Sequence, residues 1–260
     1  MMIGCRRGLA AMAVLAIAYA GALVAGLAAL PVRAEDRCAA PVEFTTAISP
    51  LPNAAAAIRD TRALRVLIVG TGSSTNGGTS AQEASYPQRL EKDLAAAFPG
   101  VTVTVQTRGG RGLTAADLLP LVLEGLEAFR PDIVIWQSGT VDAVRGLDPD
   151  GFAQTISEGV EKALKRRADV ILMDMQFSRF SRATVNYGPY RQALDSAAAA
   201  NAGAIAFQRY ELMRHWAASG QIDMERAPRA EWKAQADMLH ACLAKVLTEV
   251  IRDGIRQASR

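Results

Sequence analysis

Five short apolar runs alternate with amphipathic stretches along this chain, and that alternation limits the fold more than any other feature. The runs are Ala63-Leu64-Arg65-Val66-Leu67-Ile68-Val69, Val101-Thr102-Val103-Thr104-Val105, Asp132-Ile133-Val134-Ile135-Trp136, Asp169-Val170-Ile171-Leu172-Met173 and Ala204-Ile205-Ala206-Phe207. Each is too short for a buried helix, and the second is rich in β-branched residues, so each predicts a strand of a parallel sheet. Helical patterns follow near 86–98, from Thr114 to about Phe129, over 150–166, near 187–200 and from about 232 to 257. Thr114-Ala115-Ala116-Asp117 has the form of a capping box. The predicted fold class is α/β, one domain over 63–260 with a five-stranded parallel sheet covered by helices on both faces.

The residues before that domain read differently. Arg6 and Arg7 precede 23 uncharged residues, Gly8 to Leu30, and then Pro31-Val32-Arg33-Ala34. A basic head, an apolar run and small residues at Val32 and Ala34 predict a secretory signal over 1–34, with an uncleaved membrane anchor as the competing reading. Residues 35–62 carry Pro41, Pro50 and Pro52 and no clear period, so they are expected to form an irregular lead-in. The whole chain has a net charge of +3, which gives no nucleic-acid footprint. Removing 1–34 takes away three arginines and no acid, leaving 26 basic against 26 acidic residues. Export predicts a periplasmic or secreted protein, with any membrane contact through an uncleaved N-terminal segment. It also makes a Cys38–Cys242 disulfide the expected pairing, with two buried free thiols as the alternative.

In parallel sheets the ligand site lies beyond the carboxyl ends of the strands. The first such loop is Gly70-Thr71-Gly72-Ser73-Ser74-Thr75-Asn76-Gly77-Gly78. Glycines around a serine allow a sharp turn that presents a hydroxyl beside converging backbone N–H groups, as acyl transfer requires. A flexible polar loop is the plainer reading, and a dinucleotide fingerprint fails because Thr75 stands where its third glycine belongs. The second loop, Thr107-Arg108-Gly109-Gly110-Arg111-Gly112-Leu113-Thr114, leads into a helix, and the third is Gln137-Ser138-Gly139-Thr140-Val141-Asp142. Near the C-terminus, Asp237-Met238-Leu239-His240 sets an acid three residues before one of only two histidines. A serine nucleophile needs a histidine to take its proton and an acid to orient that histidine, but the same spacing is common on helix faces. The other histidine, His215, lies between Arg214 and Trp216 and reads as a packing residue.

In this order the four segments resemble the blocks of the SGNH (GDSL-type) hydrolase family, over most of residues 38–258. Ser73-Ser74-Thr75-Asn76-Gly77 matches the first block, Ser85-Tyr86-Pro87-Gln88-Arg89-Leu90 is similar to bacterial members, and so is Arg209-Tyr210-Glu211-Leu212-Met213-Arg214-His215-Trp216. The resemblance implies a flavodoxin-like three-layer sandwich with Ser73 as nucleophile, or Ser74 if the register slips by one. It implies His240 as general base, Asp237 as its orienting acid, and an oxyanion hole from the N–H groups of Ser73 and Gly112. The chain departs from the family at Val141, where an asparagine usually helps hold the oxyanion, and at Gly72, where an aspartate usually precedes the serine. Gln137 and Asn76 are the candidates to compensate.

The expected activity is hydrolysis of carboxylic esters, O-acetyl groups of saccharides or short-chain acyl esters, with no cofactor and no metal. The expected partner is a small-molecule or saccharide ester, not nucleic acid. Two alternatives are an acyltransferase acting on a surface glycan and an SGNH-fold binding protein impaired by Val141.

Overall fold

The computed structural model describes residues 38–260, except for the side chain of Asn76. The predicted signal or anchor over 1–34 lies outside the described residues. Five parallel strands form one sheet: β1 (Ala63–Gly70), β2 (Thr102–Gly109), β3 (Ile133–Gln137), β4 (Asp169–Met173) and β5 (Ala204–Phe207), in the order β2-β1-β3-β4-β5. β3 and β4 are buried at every position, which is why their sequences are unbroken apolar runs. β2 lies at the sheet edge, and its Thr102, Thr104 and Gln106 are exposed while the valines between them turn inward.

The helices are α1 (Val42–Thr45), α2 (Pro52–Thr61), α3 (Gly72–Asn76), α4 (Tyr86–Ala97), α5 (Ala115–Ala128), α6 (Thr140–Val144), α7 (Pro149–Lys165), α8 (Arg179–Thr184), α9 (Gly188–Ala199), α10 (Arg209–Ala218) and α11 (Trp232–Ala258). The capping box at Thr114 is formed: its hydroxyl accepts the Asp117 N–H, and Asp117 accepts the Thr114 N–H.

The lead-in expected to be irregular instead contains α1 and α2. Pro41 caps α1 and Pro52 opens α2 rather than breaking it, because Pro52 stands in a first turn where a missing N–H costs nothing. Asp169, at the start of β4, accepts the Ala54 N–H at 2.9 Å and the Asn53 side-chain N–H at 2.8 Å, pinning α2 to the sheet. Burial raises its carboxyl to about 6, against those hydrogen bonds. Cys38 and Cys242 form a disulfide, joining the start of the described chain to α11.

Candidate functional site

The turn after β1 is built by close backbone approach. Gly70 and Gly109 are register partners at the ends of β1 and β2. Gly109 has φ +133°, and a Cβ there would come within 1.8 Å of the Gly70 carbonyl oxygen, so only glycine fits. The chain then enters α3, whose second residue is Ser73.

Ser73 and Ser74 share one partner. The Gln137 Oε1 atom, at the end of β3, accepts from Ser73 Oγ at 3.1 Å and from Ser74 Oγ at 2.7 Å, while its Nε2 donates to the Thr71 hydroxyl. Ser74 is buried and bonds the Tyr86 hydroxyl at 2.7 Å. Burial pushes the Tyr86 phenol up to about 12, so it stays neutral. Ser73 is half-buried. Of the two serines it is therefore the more open to a ligand, and Ser74 serves the network beneath it.

The second group on Ser73 is Arg209, which the sequence places in a stretch similar to bacterial members but to which it gives no role. Arg209 Nη1 donates to Ser73 Oγ at 2.9 Å, and Nη2 donates to Gln176 Oε1 at 3.3 Å. Arg209 is wholly buried and takes part in no ion pair among the described residues. It opens α10 just after β5, at the carboxyl end of the sheet where the other loops of the site lie.

The predicted relay is arranged differently from the expectation. His240 and Asp237 lie within the continuous helix α11. Residues three apart on a helix project side by side, and each of these two reaches a different point of the loop between α3 and α4. Both Asp237 carboxylate oxygens accept from Ser80, one from its N–H at 2.8 Å and one from its hydroxyl at 2.5 Å. His240 Nδ1 accepts the Tyr86 N–H at 2.9 Å. Tyr86 is the first residue of α4, so this imidazole caps an N–H that has no partner within its helix. The ring is buried, and a Cβ on Gly77 would lie 2.2 Å from its Nε2.

This arrangement fixes the tautomer. With Nδ1 accepting, the neutral ring carries its proton on Nε2, whereas a triad histidine holds Nδ1–H toward its acid and keeps Nε2 free for the serine. Burial, followed by the charges of Arg209 and Arg89, lowers the His240 pKa to about 4. Asp237 and His240 thus clamp the loop that follows the nucleophile turn. Asp237 does not orient His240 in this structure, and no hydrogen bond joins His240 to Ser73 among the described residues.

Gly112 has φ +77°, and its carbonyl accepts from Arg145 Nη2 at 3.0 Å. The loop carrying it lies against the serine turn, since a Cβ on Gly72 would meet Arg111 Cγ at 3.1 Å. In the third loop Asp142 is buried and accepts the Ala115 N–H at 3.0 Å, tying that loop to the start of α5, while Val141 beside it offers no donor. Gln137 meets Ser73 with its acceptor rather than its donor end. Asn76, the other candidate to compensate, has its side chain outside the described residues.

The Non-GDSL lipase-like family matches residues 37–257, most of the chain. The chain belongs to that family. Among solved structures, this lipase-like chain is similar to a catalytic mutant of Axe2, an acetylxylan esterase from Geobacillus stearothermophilus, at 19% identity and TM-score 0.56 over 72% of this chain and 94% of that one. It is also similar to CEX, a two-domain esterase active on acetylated mannans, at 18% identity and TM-score 0.55 over 77% of this chain and 54% of that one. AlinE4, an SGNH-hydrolase family esterase, matches at 21% identity and TM-score 0.50 over 64% of this chain and 86% of that one. At these identities the likeness is one of fold: the α/β architecture with its five-stranded parallel sheet is that of the SGNH hydrolases. Among curated proteins none matches significantly.

Proposed function

We propose that this lipase-like chain acts on carboxylic esters through Ser73, with a turnover well below that of a complete serine–histidine–acid relay. The observation that carries this reading is the Ser73 hydroxyl, held at the carboxyl end of β1 between the Gln137 carboxamide and the Arg209 guanidinium. Attack by Ser73 on an ester carbonyl forms an acyl-serine and releases the alcohol. Water then removes the acyl group, or a glycan hydroxyl accepts it in the transferase variant. The Ser73 and Gly112 N–H groups are the proposed oxyanion donors. With Val141 in the third block one donor is missing, and such a loss lowers turnover by about 10²–10³.

The proposed substrates are O-acetyl groups of saccharides or short-chain acyl esters. The acetylated xylans and mannans named for two fold neighbours support the saccharide choice, and fold analogy alone carries it. The proposed location is periplasmic or secreted, supported by the Cys38–Cys242 disulfide.

A second reading, a binding protein without turnover, is favoured by one observation: the Tyr86 N–H occupies the His240 nitrogen that a triad would turn toward its acid. Acetate release from p-nitrophenyl acetate and from acetylated xylo- and manno-oligosaccharides separates the two. Ester hydrolysis is expected to be measurable in the wild type and absent in Ser73→Ala. Binding of an acetylated oligosaccharide without any release would leave the second reading standing.

A further inference from the structure

Arg209 poses a problem that the fold does not explain. A buried guanidinium is ordinarily held by a carboxylate, because an unpaired charge in the interior is costly. The carboxylate nearest in chain context is Asp174, which accepts the Tyr210 N–H at 2.8 Å and Arg191 Nε at 2.9 Å. Arg191 in turn pairs with Glu211, so the direct contacts of Asp174 go to groups other than Arg209. The direct hydrogen bonds of Arg209 go to two neutral oxygens, Ser73 Oγ and Gln176 Oε1, its buried Nε has no partner among the described residues, and Asp174 attracts it without a direct ion pair.

The direction of the Ser73 bond is fixed by chemistry. A guanidinium only donates, so Ser73 Oγ accepts from Arg209 and its own proton points at Gln137 Oε1, which only accepts. A positive charge therefore faces the lone pairs of the one serine open to a ligand. Loss of the Ser73 proton would convert this ion–neutral hydrogen bond into a direct ion pair, which the buried cation has with no other group among the described residues.

We propose that Arg209 is a catalytic residue whose fixed positive charge stabilises the Ser73 alkoxide. It takes the electrostatic part that an imidazolium and a third-block donor play where they are present. The proposal rests on Ser73 being the reacting group. In the step it serves, hydroxide removes the Ser73 proton and becomes water, and the alkoxide attacks the electrophile. With a fluorophosphonate the Oγ–P bond forms as the P–F bond breaks, and fluoride leaves with the electron pair.

The test is the rate at which an alkyl fluorophosphonate modifies Ser73 in the exported chain, read by peptide mass between about pH 6 and 9. Alkoxide attack predicts a rate rising about tenfold per pH unit, whereas an imidazole base would give a plateau above its own pKa. Arg209→Met is expected to label about 10²-fold more slowly. Because it removes a desolvated buried cation that has no direct ion pair among the described residues, it should also unfold at an equal or higher temperature, which a merely structural arginine would not do. Arg209→Lys, which keeps a charge, should recover part of the rate with the same pH slope. A wild-type rate in Arg209→Met, a plateau across this range, or no labelling of Ser73 would overturn the proposal. p-Nitrophenyl acetate hydrolysis in the same samples tests the underlying reading separately. Arg209-dependent labelling without turnover removes the esterase reading and keeps the proposal, and turnover unchanged in Arg209→Met does the reverse.

Discussion

At the scale of the residue, His240 shows how one motif serves two different purposes. Its spacing from Asp237 fits a catalytic pair, yet its Nδ1 is spent on the first N–H of α4. Replacing it by leucine strands that N–H, at a cost of about 1–3 kcal/mol. The same residue sets a pH dependence. Its folded-state pKa is lowered from 6.5 to about 4, so the unfolded chain takes up a proton first as pH falls. The stability it confers is whole above pH 6.5 and is lost as pH drops toward 4, by about 3 kcal/mol in total. Asp169 and Asp174, both raised to about 6, act in the opposite sense. The effect is therefore read as the difference between wild type and His240→Leu in urea unfolding. That difference should shrink from pH 7 to pH 4, and a constant difference would refute the buried neutral imidazole.

At the scale of the element, the close approaches around α3 decide whether the serine turn survives. Gly77→Ala would drive a methyl to 2.1 Å from His240 Cε1. It should cost about 1–3 kcal/mol in thermal unfolding and loosen the loop that Asp237 and His240 hold. A neutral effect would show that the ring does not pack there. The central strands were legible because they lie between two helical layers and are unbroken apolar runs, and the edge strand β2 because its valines alternate with β-branched threonines. The capping box at Thr114 was legible because its chemistry is local. The helices α1 and α2 were not, since a proline in a first turn has the same sequence signature as a helix breaker. Arg209 was legible only as part of a stretch similar to bacterial members; its hydrogen bond to Ser73 is a tertiary contact that no local pattern carries. For the pair at Asp237 and His240, the decisive quantity was which atoms of the α3–α4 loop face α11, and spacing alone cannot supply that.

At the scale of the whole molecule, the Cys38–Cys242 disulfide closes a loop of 204 residues. Chain entropy allows it roughly 5 kcal/mol of stabilisation, fully present only in an oxidising medium. Cys38→Ser, or reductant added to the wild type, should lower the unfolding free energy from urea titration by a comparable amount and the midpoint with it, and an unchanged midpoint would mean that the bond forms without constraining the unfolded chain. The same long helix that carries Cys242 also holds the serine loop through Asp237 and His240. Stability and site geometry therefore meet on α11, and the reactive groups stand apart from it on α3, β3 and α10. The central claim is that Ser73 reacts without an Asp237–His240 relay. It is tested most directly by the fluorophosphonate labelling rate of Ser73 in Asp237→Asn. This account predicts a rate within about twofold of wild type, whereas a fall approaching the ~10⁴-fold typical of a broken relay would contradict it.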